Sequence, residues 1–199
     1  MSNFNYYRTQ GKRFRKSTSH YTPSWLANWI YDYSCLVLGP PNLVLDPCIG
    51  IGSMTDPFGK TGSQIIGIDT DESGHLWCDN FMHTKFEALR AWPYEKPDLI
   101  LCNPPFNGFS GHMMYPEVFA RHLIELFGTE VPIWMIVPHT FRLTPSGSKR
   151  RDWLNSGNFD ISLIAALPTD CFSNATIHCE LLLINALILP IRQPVLSPP

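Results

Sequence analysis

The chain has 199 residues, 44% of them hydrophobic and 13% aromatic, which suffices for one buried core and excludes a disordered body. A net charge of -2, from 15 Lys and Arg against 17 Asp and Glu, gives no sign of a polyanionic partner. Six cysteines without a CxxC pair or a Cys/His zinc spacing read as reduced thiols of an intracellular, cytoplasmic protein, and no apolar run reaches the roughly 18–20 residues of a membrane span.

The near-neutral sum hides an asymmetry at the start of the chain. Arg8, Lys12, Arg13, Arg15 and Lys16 all precede Asp32, the first acid. Residues 1–19 therefore form a basic arm suited to phosphates, because Lys and Arg displace counterions condensed on nucleic acid. A helix is predicted over 24–38, carrying Trp25, Leu26, Trp29 and Ile30. Short runs rich in Ile, Leu and Val at 42–46, 64–69, 98–102 and 132–137 predict buried strands, each closed by Pro, Gly, Asp or Asn. A second helix is predicted over 116–127. It has Pro116 in its first turn, Gly128 after its end, and Val118, Phe119, Leu123, Leu126 and Phe127 on one face.

Strands alternating with helices predict an α/β fold, a mostly parallel sheet covered on both faces. The runs at 161–167 and 178–186 are joined by a loop too short for a crossover helix. They predict an antiparallel pair at one edge. Residues 20–189 make up the folded domain, and 190–199 a Pro-rich tail.

In such a sheet, ligands bind beyond the carboxyl ends of the strands, where the informative residues cluster. Asp46-Pro47-Cys48-Ile49-Gly50-Ile51-Gly52 follows the first strand, and its glycines allow a tight turn and a close approach to a ligand. Asp69 closes the next strand, where an acid can accept from both ribose hydroxyls. The loop lacks the GxGxxG spacing of dinucleotide sites, and Asp46 would repel a pyrophosphate. An acid there suits a cation, such as the ammonium of an amino-acid moiety. Asn103-Pro104-Pro105-Phe106 follows the strand at 98–102. Pro104 and Pro105 stiffen the turn and also restrict Asn103, so the Asn103 amide oxygen and the Pro104 carbonyl can converge on one amino group beside an aromatic face.

These motifs resemble those of the S-adenosylmethionine-dependent N6-adenine DNA methyltransferases, over about residues 21–186. Asp46 to Gly52 is similar to the family's DPxxGxG cofactor loop. Asn103 to Phe106 matches its (Asn/Asp)-Pro-Pro-(Tyr/Phe/Trp) motif, and His20-Tyr21-Thr22-Pro23 resembles its Tyr-Thr-Pro segment. The order is that of the gamma arrangement. The resemblance implies a Rossmann-like class I methyltransferase that uses S-adenosylmethionine, releases S-adenosylhomocysteine and needs no metal.

Carried over residue by residue, Tyr21, Thr22, Asp46, Pro47, Cys48, Gly50, Gly52 and Asp69 would contact the cofactor. Asp79 would accept from its adenine amino group, although it follows Asp69 more closely than the family's pattern does. Asn103, Pro104, Pro105 and Phe106 would be catalytic, and Phe172, in Asp170-Cys171-Phe172-Ser173, would pack with Phe106 on a flipped base. Too few residues follow the last predicted strand for a target-recognition domain. Phosphate and base contacts would then fall to the basic arm, to residues 107–115, and to 138–151 with Arg142, Lys149, Arg150 and Arg151, or to a specificity subunit or second copy. DNA is the expected partner. RNA adenine methylation is the alternative, followed by methylation of a protein glutamine and by a non-catalytic nucleic-acid-binding subunit.

Overall fold

The computed structural model describes residues 20–106, 113–143, 148–172 and 176–186. The basic arm over 1–19, the 107–112 segment and the Pro-rich 190–199 tail lie outside them.

Seven strands form one sheet in the order β3-β2-β1-β4-β5-β7-β6. They are β1 (Leu43–Asp46), β2 (Gln64–Asp69), β3 (Asn80–His83), β4 (Leu99–Cys102), β5 (Ile133–Pro138), β6 (Ile161–Leu167) and β7 (Cys179–Ile184). The first five pair in parallel, with Val44 and Leu45 opposite Leu99 and Ile100 across the centre. β7 lies antiparallel between β5 and β6. β1, β4, β5 and β7 are buried at every residue, as continuous apolar runs require of strands covered on both faces.

Successive side chains alternate between two cores. On one face, Leu26 and Ile30 of α1 (Ser24–Leu38) and Phe58 of α2 (Asp56–Lys60) cover Val44, Leu99, Leu101 and Trp134. On the other, Phe119, Leu123 and Phe127 of α3 (Tyr115–Phe127) and Phe141 of α4 (Thr140–Leu143) cover Leu45, Ile100, Ile133 and Met135. Trp134 can be fully buried because its indole N–H donates to Ser34 Oγ at 2.7 Å. α5 (Ser148–Leu154) follows α4.

Two differences from the sequence reading have local causes. β3 is an edge strand of four residues, none of them fully buried and only two of them, Phe81 and Met82, apolar, so it leaves no apolar run to detect. The last strand ends at Ile184 because Asn185 adopts a positive φ of 63° and turns the chain. Among the described residues no helix is long and apolar enough to cross a membrane.

Candidate functional site

The carboxyl ends of β1, β2, β3 and β4 open into a cavity of about 550 Å³. Asp46 closes β1 inside it, only 3% exposed, with Oδ1 accepting the Cys48 N–H at 3.0 Å. Burial, reinforced by the charge of Asp69 and opposed by that N–H, pushes the Asp46 carboxyl up to about 7. Such a group gains from a ligand that brings positive charge. Asp69 closes β2. Its Oδ2 accepts the Gly50 N–H at 2.8 Å and its Oδ1 the Asp71 N–H at 2.9 Å, so it holds the Asp46–Gly52 loop while lining the cavity. Pro47 and Cys48 line it too. A hydrogen bond with the Cys102 thiol, together with burial, pushes the Cys48 thiol well above its ordinary value.

Asn103 directly follows β4 and lines the same cavity, with Pro104, Pro105 and Phe106 after it. Its Nδ2 donates to the His20 carbonyl at 2.9 Å and to Thr22 Oγ1 at 3.1 Å. Both acceptors lie on the segment that enters α1. The amide is held with Oδ1 turned away from them, and among the described residues Oδ1 accepts no hydrogen bond. Thr22 is buried at 5% exposure and Tyr21 is 41% exposed. The structure therefore brings together Tyr21, Thr22, Asp46, Pro47, Cys48, Gly50, Asp69 and the Asn103 to Phe106 turn.

Five expected residues are placed or engaged elsewhere. Asp79 sits at the opposite end of the sheet, where its Oδ2 accepts the Ile65 N–H at 2.7 Å and its own N–H donates to the Ile65 carbonyl. β2 and β3 are parallel, so residues 70–79 must return to the amino end of the sheet before β3 begins, and Asp79 ends that return. Gly52 is not among the residues lining the cavity; with φ +67°, a Cβ on it would lie 2.6 Å from Trp77 Cβ. Phe172 is core, 2% exposed, and meets Phe106 at 78° with centroids 6.1 Å apart. Rings so inclined and in contact cannot sandwich a planar base. Arg150 is buried, its guanidinium 3.4 Å from Glu117 and over the Phe141 ring, so it is not available to phosphate. Arg142 is also engaged, in a two-point pair with Glu180 at 2.7 and 2.9 Å. Lys149 and Arg151 are exposed on α5.

The sequence reading missed two groups. Thr84, Lys85 and Phe86 reach the cavity from the end of β3, the strand that carries no apolar run. His20 also lines it, and its place just before Tyr21-Thr22-Pro23 was the available signal. Among the described residues no group of His, Cys, Asp and Glu is placed to hold a metal.

The architecture can now be compared with solved structures. A putative class I S-adenosylmethionine-dependent methyltransferase from Listeria monocytogenes is similar over 89% of this chain and 65% of its own, with a TM-score of 0.68 and 16% identity. The fold is that of the Rossmann-like S-adenosylmethionine-dependent methyltransferases. The modification subunit of a putative type I restriction enzyme from Vibrio vulnificus matches over 83% of this chain and 44% of its own, with a TM-score of 0.66 and 18% identity. The 23S rRNA methyltransferase ErmE matches over 90% and 73%, with a TM-score of 0.56 and 13% identity. The chain thus spans less than two thirds of the first two. No family model and no curated sequence matches it.

Proposed function

We propose that this chain transfers a methyl group from S-adenosylmethionine to the exocyclic N6 of adenine in DNA. The observation that carries this reading is the amide of Asn103, whose Nδ2 donates to the His20 carbonyl and to Thr22 Oγ1 while the residue lines the cavity that also holds Asp46.

The residues present fit the cofactor. The buried carboxyl of Asp46, pushed up to about 7 by burial, suits the ammonium of a methionine moiety. Asp69 keeps acceptor capacity for ribose hydroxyls beside its two backbone partners. Thr22 Oγ1 accepts from Asn103 and retains its own hydrogen for a carboxylate. The adenine end would meet Thr84, Lys85 and Phe86 in place of Asp79. When bound, S-adenosylmethionine supplies a methyl group activated by sulfonium.

The chain's own residues would supply the acceptor chemistry. Adenine N6 is a poor nucleophile because its lone pair is delocalised into the ring. Asn103 Oδ1 and the Pro104 carbonyl accept its two hydrogens, draw the nitrogen toward tetrahedral geometry and offset the positive charge that develops on attack. The Pro-Pro turn keeps both acceptors fixed, so no reorganisation is needed as the reaction proceeds. In a duplex the base must first be flipped into the site. Lys149 and Arg151 of α5, and the basic arm with Arg8, Lys12, Arg13, Arg15 and Lys16, would contact phosphates. The likeness to the modification subunit of a putative type I restriction enzyme supports DNA as the substrate and a partner subunit. RNA adenine is the second reading, favoured by the likeness to ErmE over most of both chains.

The test is to incubate the protein with labelled S-adenosylmethionine and either DNA or RNA, then digest to nucleosides. We expect label in N6-methyldeoxyadenosine, lost in Asn103→Ala. Label only in RNA or protein would overturn DNA as the substrate. Deleting residues 1–16 is expected to weaken DNA binding and flatten its salt dependence.

A further inference from the structure

Glu117, in the first turn of α3, is a buried carboxylate that serves two guanidinium groups. Its Oε2 faces Arg150 Nη1 at 3.4 Å, and both of these side chains are only 6% exposed. Its Oε1 accepts from Nε and Nη2 of Arg121, one helical turn along, at 3.0 and 2.9 Å. Two positive charges therefore share one negative charge. A buried charge without a counter-charge is costly, so Arg150 requires the carboxylate, and the surplus positive charge falls on Arg121, whose side chain is 34% exposed. Among the described residues no other acid pairs with Arg121. Glu125, one turn beyond it, has its carboxylate 3.5 Å from His122 Nδ1.

A second observation concerns how that surplus charge is held. Arg121 Cζ lies over the Trp153 ring, 4.2 Å from its centre. A guanidinium fixed along one edge by a carboxylate and across one face by an indole has little freedom left to lose on binding. Both hydrogens on Nη1 and one on Nη2 are left over from the contacts with Glu117, and among the described residues they have no acceptor. Trp153 belongs to α5 and lies one turn after Lys149, so the two share a face of that helix. Arg121 thus brings a cation from α3 to the side of α5 that carries the exposed Lys149. Asp152 is the single acid of α5, against Lys149, Arg150 and Arg151, so the junction stays cationic.

We propose that Arg121 contacts a backbone phosphate of the nucleic acid, on a cationic face that it forms with Lys149 where α3 meets α5. The ligand class follows from the donors: a planar guanidinium with N–H groups to spare on one side is matched by the oxygens of a phosphate. The inference rests on the nucleic-acid reading above and extends it to α3. It does not depend on which base is methylated, or on DNA over RNA.

The experiment measures the affinity of the full chain for a labelled DNA and a labelled RNA oligonucleotide by fluorescence anisotropy, over a series of salt concentrations. Arg121→Gln should weaken binding about five- to tenfold at 0.1 M salt and flatten the slope of log affinity against log salt by about 0.7–0.9, the share of one phosphate contact. Arg121→Lys, which keeps the charge but not the planar fork, should keep the slope and lose only a few-fold in affinity. Arg150→Met is the internal control. It removes a charge from the same network but a buried one, so Tm should fall while the slope stays. Calorimetric titration should show cofactor affinity unchanged in all of these variants. If Arg121→Gln folds poorly, Arg121→Met removes the same charge and keeps an apolar stem on Trp153. A slope that is the same in wild type and in the charge-removing variants of Arg121, or that flattens equally in Arg150→Met, would overturn the inference and leave nucleic-acid binding standing. If wild type shows no salt-dependent affinity for either oligonucleotide, the nucleic-acid reading falls and the inference falls with it.

Discussion

The two ends of the sheet use the same residue type for opposite purposes. At the carboxyl end, Asp46 is sealed in the cavity with a single backbone partner, and its carboxyl is pushed up to about 7 by burial. At the amino end, Asp98 accepts the N–H groups of Asn42 and Leu43 at 2.9 and 3.0 Å, and Asp79 accepts that of Ile65 at 2.7 Å. Those acids satisfy backbone donors at strand starts. An aspartate beside an apolar run is therefore ambiguous until its end of the strand is known: the amino end spends its acceptors on the fold, and the carboxyl end keeps some in reserve.

The contrast is sharpest for Asp46. Its carboxyl is raised in the folded state, so between about pH 4 and 7 the unfolded chain loses a proton that the folded chain keeps. Stability contributed by this site falls as pH rises through that window, and the penalty is complete above about 7. Asp46→Asn is expected to stabilise the cofactor-free protein at pH 8 by up to about 4 kcal/mol, the gain vanishing near pH 4, while cofactor affinity drops sharply. Chemical denaturation at both pH values and calorimetric cofactor titration check this, and loss of stability at pH 8 would sink the assignment. Asn103→Ala comes next: kcat should drop by about 10²–10³ with cofactor affinity retained, read by single-turnover methyl transfer.

At the other end of the sheet, Asp79→Ala and Asp98→Ala are each expected to cost about 1–2 kcal/mol, since each leaves a part-buried backbone N–H, of Ile65 or Leu43, without its acceptor, with cofactor affinity unchanged. A cofactor Kd that moves with Asp79→Ala would return that residue to the site and break the comparison. The smallest effect is expected for Lys149→Ala with Arg151→Ala. Nucleic-acid affinity should fall a few-fold, and the slope of log affinity against log salt should flatten by roughly 1–2, measured by fluorescence anisotropy.

Much of the fold was legible because burial on both faces writes itself as unbroken apolar runs. The central strands β1, β2, β4 and β5, the antiparallel β7 and β6, and the helices α1 and α3 all carry such signals. β3 does not, and the error at Asp79 follows from that gap, since the segment after Asp69 could not be divided into a return and a strand. The site was legible wherever a motif fixes the backbone, as at Asp46 to Gly52 and Asn103 to Phe106. It was not legible where a role depends on which neighbour a side chain meets. Gly52 faces Trp77 and Arg150 faces Glu117, 25 and 33 residues away in sequence, and Phe172 faces the core.

The placement of β7 bears on how the protein is made. It is the last of the described strands, yet it fills the gap between β5 and β6 and supplies ladder partners to both. Until residues 179–184 leave the ribosome, β5 and β6 each present a bare edge to their surroundings. A nascent or truncated chain that stops short of Cys179 should therefore be prone to aggregation, even though every residue of the proposed acceptor turn has been made. The sheet can therefore close only once residues 179–184 have been made, because both of its last ladders run through β7.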